Sequence, residues 1–343
     1  MQKNVIFNPK GNDDVAKRKI IKGATTGLFQ LNATKYQWAT SLYQVMIGNF
    51  WVPEKVSGLK DDARMFSTQL TKEEQRAYKG ILSFLIFLDS VQTVNLPNFS
   101  EYITSPEVNL ILSIQAYQEA IHSQSYATIL ETVVDSKERD EIYYFWRDDK
   151  ILLERNKYIG AFYQDFIDDP SDKNFFRGIV ANYILESIYF YNGFAFFDTL
   201  VDQTKMLATG RMISYIRRDE LTHVTMFAHI IKEVREEFPD IYDEKVIIEM
   251  VKEAVNQEIE WGKHILGNKI PGMNAGTTVT YTQWLANQRL ELLGMAPIYE
   301  GVVENPYKHL ERLQDTNSDK GNFFESTVVN YTQSSSMKGN WDF

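Results

Sequence analysis

The sequence predicts an all-α protein: a bundle of long helices around a buried pair of metal ions, with additional helices packed outside. Three observations predict it. Long stretches follow helical periodicity, and no alternating strand pattern of useful length occurs beyond a short pair within 268–281. The unit Glu-x-x-His occurs twice, as Glu119/His122 and Glu220/His223. Two lone acids, Asp89 and Glu186, stand inside otherwise apolar helical stripes.

The bulk composition narrows the chemistry. A chain of 343 residues with 44% hydrophobic content is long enough for one large helical core. A net charge of −10 argues against nucleic acid or an anionic membrane as the main partner. There are no cysteines, which leaves no disulfide, thiolate ligand or thiol nucleophile. Any metal must then be held by His, Asp and Glu, a donor set that suits Fe, Mn or Zn. The first residues, Met1 to Lys19, are polar and lack the apolar stretch of a signal peptide. Apolar runs such as Ile81 to Leu88 fall far short of a span of ~20 residues. The chain therefore reads as soluble and cytoplasmic, with no membrane and no nucleic acid as partner.

In chain order, residues 1–35 read as an N-terminal arm, since they show little periodicity. Residues 36–50 read as an amphipathic helix, ending before Pro53, which biases its predecessor away from helical geometry. Thr71 with Glu74 is a capping box that opens a helix to about Ser100. Ser105 followed by Pro106 starts another, to about Val134. Shorter helices follow at 136–149 and 150–168. Ser171 or Asp172 starts a long helix to about Met206, and Gly210 marks a break. The helix bearing Glu220 and His223 ends before Pro239. Others lie at 243–266 and 277–293, the last closed by Gly294. The bundle so defined spans 36–311. From 312 to 343 the chain turns polar, punctuated by Phe323, Phe324, Tyr331, Trp341 and Phe343, the pattern of a tail that orders on a partner.

Dinuclear carboxylate bundles take one acid from each of two helices and a Glu-x-x-His from each of two others. Asp89 and Glu186 supply the first kind, and Glu119/His122 and Glu220/His223 the second. One such pair on a helix is common by chance. Two on long apolar helices, using two of only five histidines, make a specific pattern. An ionised acid among Leu and Phe costs several kcal/mol unless it is paired or binds a cation, so two divalent metals would compensate four carboxylates. Tyr126 lies four residues beyond His122, on the same helical stripe. His229, His264 and His309 have no matching partner and read as structural.

The pieces Asn49-Phe50-Trp51-Val52-Pro53-Glu54, Leu88-Asp89-Ser90-Val91-Gln92, Glu119 to Tyr126, Leu185-Glu186-Ser187-Ile188-Tyr189-Phe190-Tyr191, Arg217 to His223, and Asn322-Phe323-Phe324-Glu325 leading to Tyr331 occur in one chain. Together they resemble the small, radical-generating subunit of class I ribonucleotide reductases. That resemblance implies a ferritin-like di-metal carboxylate bundle. It implies a dinuclear Fe or Mn centre on Asp89, Glu119, His122, Glu186, Glu220 and His223, oxidised by oxygen, or by superoxide in some manganese members. Tyr126 is then the residue that yields a stable tyrosyl radical, shielded by Phe190, Phe194 and Ile216.

The same resemblance implies an outward relay from His122 through Asp219 to Trp51 and then Tyr331. It ends on a cysteine of the large catalytic subunit, which would reduce ribonucleoside diphosphates to deoxyribonucleotides. The tail, with Trp341 and Phe343 near its end, would anchor that subunit. The family also implies a homodimer and, if manganese is used, a flavodoxin-like activator. Another class remains open: a ferritin-like di-metal oxidase or oxygenase with its own small-molecule substrate. It would share the six ligands, need neither Trp51 nor the tail, and want an apolar cavity at the metals.

Overall fold

The computed structural model describes residues 1–313. They form eleven α-helices and one π-turn, joined by short loops and three 3-10 turns. No strand occurs among the described residues; one isolated bridge joins Ile21 to Ile103. The tail beyond 313, with Tyr331 and Trp341 to Phe343, lies outside the described residues.

Helix α1 covers Gln37–Gly48 and α2 covers Leu59–Thr68. The long α3, Lys72–Ser100, opens on the expected capping box: Thr71 accepts from the backbone of Glu74, and Glu74 reaches back to Thr71. α4 is Pro106–Val133, capped by Ser105. α5, Ser136–Asp148, and α6, Lys150–Asp168, follow, with Asp135 and Asp149 as caps. α7, Asp172–Ile184, runs into a π-turn at Leu185–Tyr189, and α8 continues as Tyr191–Asp202. α9 is Leu207–Glu237, α10 Glu244–Ile265 and α11 Ala275–Leu292.

α3 packs on α4, α4 on α9, and both α7 and α8 on α9. These helices carry Asp89, Glu119, His122, Glu220 and His223, the π-turn between α7 and α8 carries Glu186, and the core lies between them. By length and composition α3 could cross a membrane, but most of it is buried within the bundle.

Several expectations need correction. Residues 54–70 carry no predicted helix, yet α2 forms there; it is short, and Gly58 supplies no side-chain cap. The helix from 172 does not run unbroken to 206: a π-turn interrupts it, and it ends at Asp202. Gly210 is no break. It lies inside α9, where a Cβ would come within 2.1 Å of Val201 Cγ2, so glycine is required by close approach of α8 and α9. The real break uses Thr204 and Met206, both in left-handed conformation (φ 62° and 51°). No strand pair forms in 268–281; Gly267 and Gly272 turn the chain at φ 56° and 83°, and an Asn274 capping box starts α11.

Met206 offers α9 no cap, and the buried Asp62 of α2 supplies it instead. Its carboxylate accepts from Ala208 N (3.3 Å), Thr209 N (2.6 Å) and Thr209 Oγ1 (2.8 Å). This satisfies orphan donors at the helix end and complements its positive dipole. The arm is tied down similarly. Glu107 accepts from Arg18 Nη1 (2.8 Å) and Lys35 N (2.8 Å), and Glu237 accepts from Ile20 N (3.0 Å) and Tyr36 Oη (2.7 Å).

Candidate metal centre

The six sequence-predicted ligands meet at one place, all fully buried. Their donor atoms form two sets of four, each with all atoms within 4.8 Å of one another. One set is Asp89, Glu119, His122 and Glu220; the other is Glu119, Glu186, Glu220 and His223. Glu119 and Glu220 belong to both. His122 Nδ1 lies 3.1 Å from Glu220 Oε1, 3.4 Å from Glu119 Oε2 and 3.7 Å from Asp89 Oδ2. His223 Nδ1 lies 2.9 Å from Glu220 Oε2, 3.3 Å from Glu119 Oε1 and 3.8 Å from Glu186 Oε2.

The helices explain this convergence. Glu119/His122 and Glu220/His223 sit three apart on α4 and α9, so each pair shares a face. Asp89 projects from α3, and Glu186 from the π-turn, a feature frequent at functional sites.

The residues fit a cation pair. Both oxygens of Asp89, one oxygen each of Glu119, Glu186 and Glu220, and His122 Nδ1 are buried without a hydrogen bond of normal geometry. Buried polar atoms in native proteins are nearly always satisfied, so orphans concentrated here need a partner of another kind. Burial and the neighbouring Glu119 charge raise the Asp89 carboxyl well above its ordinary range. Burial, then Glu186 and Glu119, do the same to Glu220. Burial alone would lower both imidazoles, but the carboxylates around them hold His122 and His223 well above the usual histidine range. Crowded acids retain protons where divalent ions would otherwise compensate them. Glu186 differs: burial opposes its ionisation, yet hydrogen bonds and the His223 charge lower it.

Around the ligands lies a layer of hydrogen-bonding groups. Asp219 Oδ2 is 3.3 Å from His122 Nε2 and accepts from Trp51 Nε1 at 2.8 Å. Gln118 Oε1 is 2.9 Å from His223 Nε2. Each imidazole thus has an acceptor at Nε2 and turns Nδ1 to the carboxylates, an arrangement that would present Nδ1 to a metal once the ring is neutral. Gln92 Nε2 and Gln115 Nε2 both donate to Glu186 Oε1, the latter at 2.9 Å, and Gln115 also reaches Glu119 Oε1 at 3.1 Å. Gln115 and Gln118 have no assigned part in the sequence, and Gln92 stands there only within the piece Leu88 to Gln92.

Tyr126 is fully buried beside Asp89. Burial and the Asp89 charge push its phenol well above its usual range, so it is neutral, and its oxygen has no normal hydrogen bond. Phe190, Phe194 and Ile216 are buried as well, with Phe190 packed on Phe194 (5.9 Å between ring centres). Trp51 is half-buried, its ring 6.4 Å from that of His122 and 5.3 Å from that of Tyr215. Of the remaining histidines, His229 stacks on Trp38 at 4.7 Å and His264 pairs with Asp149 at 2.7 Å.

Comparison with known proteins agrees. A family model described as ribonucleotide reductase, small chain, matches residues 28–306. The chain is 42% identical over 342 residues to the ribonucleoside-diphosphate reductase subunit beta of Treponema pallidum, covering 98% of this chain and 97% of that protein. It superposes on the R2 subunit of Clostridium botulinum ribonucleotide reductase with a TM-score of 0.88 and 45% identity, covering 92% of this chain and 99% of the other. A dimanganese(II)-NrdF from Streptococcus sanguinis shares the fold at a TM-score of 0.70 and 19% identity, over 81% of this chain and 98% of the other.

Proposed function

Since the chain belongs to the ribonucleotide reductase small-chain family, we propose that it generates and exports a tyrosyl radical for the large subunit. The observation that carries this reading is the pair of four-residue donor sets sharing Glu119 and Glu220, with Tyr126 buried beside Asp89. Asp89 and His122 would hold one ion, Glu186 and His223 the other, and Glu119 and Glu220 both. Bound there, Fe or Mn would supply a one-electron oxidant to Tyr126.

The chain's own residues do the rest. Burial keeps the Tyr126 phenol protonated until it gives up an electron, and Asp89 is the neighbouring group we assign to its proton. Helices on every side exclude water and reductants from the resulting phenoxyl. Asp219 ties Trp51 to His122, which leaves a hydrogen-bonded route from the centre to a half-buried indole. With no cysteine in this chain, the thiol chemistry of nucleotide reduction falls to the large subunit. Tyr331 as the next carrier, and the tail from 312 as the anchor, complete the route.

A homodimer and, with manganese, a flavodoxin-like activator belong to the same reading. The exposed Ile47, Phe50 and Tyr117 line one apolar groove together with Trp51, a surface suited to a protein partner. That groove reaches Gln118 and Asp219 but none of the six ligands, so it gives no support to a substrate-oxidising enzyme.

The test is reconstitution with Fe(II) or Mn(II), an oxidant and the large subunit. Wild type should form deoxynucleotide, and Tyr126→Phe should form none while binding the same metal. Full activity in Tyr126→Phe would sink the proposal.

A further inference from the structure

The π-turn that carries Glu186 is held from outside by two arginines. A π-turn has wider hydrogen-bonded rings than an α-helix and appears mostly as a single strained turn. Here Ser187 O accepts from Arg289 Nε at 3.2 Å, and Tyr189 O accepts from Arg155 Nη2 at 2.8 Å. Arg289 comes from α11 and Arg155 from α6, so elements other than the turn's own helix fix its carbonyls.

Both arginines are themselves braced. Arg155 is 2% exposed, with its guanidinium 4.5 Å from the Phe84 ring centre and 4.3 Å from that of Tyr189. It pairs with the fully buried Glu258 at 2.6 Å, and Asn192 Nδ2 donates to Glu258 Oε1 at 3.2 Å. Arg289 O accepts from Tyr183 Oη at 2.8 Å, and its guanidinium lies 4.9 Å from the Tyr191 ring centre. Tyr183 and Tyr191 flank the π-turn on either side. A buried ion pair is weak as a source of stability, since well-packed apolar residues often do as well. Arg155–Glu258 instead delivers a donor to one carbonyl of the turn.

Register is what such a clamp protects. Relaxation to α-helical bonding would rotate one side of the turn against the other by about 100°, one residue's step. Glu186 would then no longer face His223 from its present 3.8 Å.

We propose that Arg155 and Arg289 are positioning residues that hold the π-turn open and thereby keep Glu186 aimed at the second metal position. The proposal rests on the reading of Glu186 as a ligand. Metal uptake tests it, read as loss of the free Mn(II) paramagnetic resonance signal during titration of the metal-free chain. Wild type should take up two ions per chain. R289M and the charge-neutral pair R155M/E258Q should keep one tight ion and bind the other about 10- to 100-fold more weakly, the usual scale for outer hydrogen-bond partners. R289K, which retains a donor, should recover most of that loss. R18M, which removes another buried arginine far from the turn, should bind both ions normally. Wild-type affinity for both ions in R289M and R155M/E258Q would overturn the clamp, as would equal weakening of both. No uptake by wild type would instead overturn the reading of the site. If R155M/E258Q fails to fold, R289M against R289K decides.

Discussion

Gln118 Oε1 lies 2.9 Å from His223 Nε2, so a residue of α4 holds the imidazole of α9. The reverse also occurs: Asp219 of α9 holds His122 of α4 at 3.3 Å. Gln118 immediately precedes Glu119, and Asp219 immediately precedes Glu220. The same position in each motif serves the other motif's histidine.

From this crossing follows an asymmetric effect of mutation. Gln118→Leu should weaken the ion at Glu186/His223 about 10- to 100-fold and leave the ion at Asp89/His122 nearly unchanged. Gln118→Glu, which keeps an acceptor, should retain both. Calorimetric titration of the metal-free protein separates the two events. Uniform weakening of both ions would contradict the assignment.

Trp51 should matter for export and not for assembly. Trp51→Phe removes the indole donor to Asp219 while keeping an aromatic ring. Metal content and radical yield should match wild type, and deoxynucleotide formation with the large subunit should fall by orders of magnitude. Turnover near the wild-type rate would remove Trp51 from the route.

Asp62 should govern the stability of α9. Asp62→Ala strips the acceptor from Ala208 N, Thr209 N and Thr209 Oγ1. A lost cap costs typically about 1 kcal/mol, up to about 2. Thermal or urea unfolding should show that loss, and Asp62→Asn should restore part of it. An unchanged midpoint would contradict the capping assignment.

His229 should make stability fall with acid. Burial, then the Lys232 charge, lowers its imidazole from 6.5 to about 4. The unfolded chain takes up this proton first as pH falls. The contribution is therefore complete above about pH 6.5 and is lost progressively toward pH 4. By about pH 5 the loss approaches ~2 kcal/mol, reduced by screening because the ring is only half-buried. His229→Phe keeps a ring against Trp38 and should lose less stability than wild type between about pH 7.5 and 5 in urea titrations. Parallel losses would exclude His229 as a source of acid sensitivity.

The sequence made the long helices and the convergence of the six acids and histidines legible, because spacing on a helix dictates a shared face. Asp219 and Trp51 came from the family resemblance, and the structure puts them in one hydrogen-bonded chain with His122. The parts of Gln92, Gln115 and Gln118 are not legible in the sequence. A neutral amide in a helix has no spacing signature, and its part depends on which helix faces it. Nothing in Leu185–Tyr189 marks a π-turn either; its clamps lie 34 and 102 residues away. Gly210 misled because a glycine needed for helix contact looks the same in sequence as one that ends a helix. Tyr331 and the tail anchor lie beyond the described residues; Tyr331 as a carrier stands on the resemblance, and the anchor also on the tail's polar, aromatic-punctuated composition.

The central claim is that Tyr126 carries the radical, and paramagnetic resonance tests it most directly. The metal-free chain is loaded with Fe(II) or Mn(II), oxidised by oxygen or by superoxide from a flavoprotein, and recorded in wild type, in Tyr126→Phe and in protein grown on β-deuterated tyrosine. The account predicts a tyrosyl signal whose hyperfine pattern narrows on deuteration and which is absent from Tyr126→Phe at equal metal content. The same signal persisting in Tyr126→Phe, or no radical from wild type with either metal and oxidant, would contradict it.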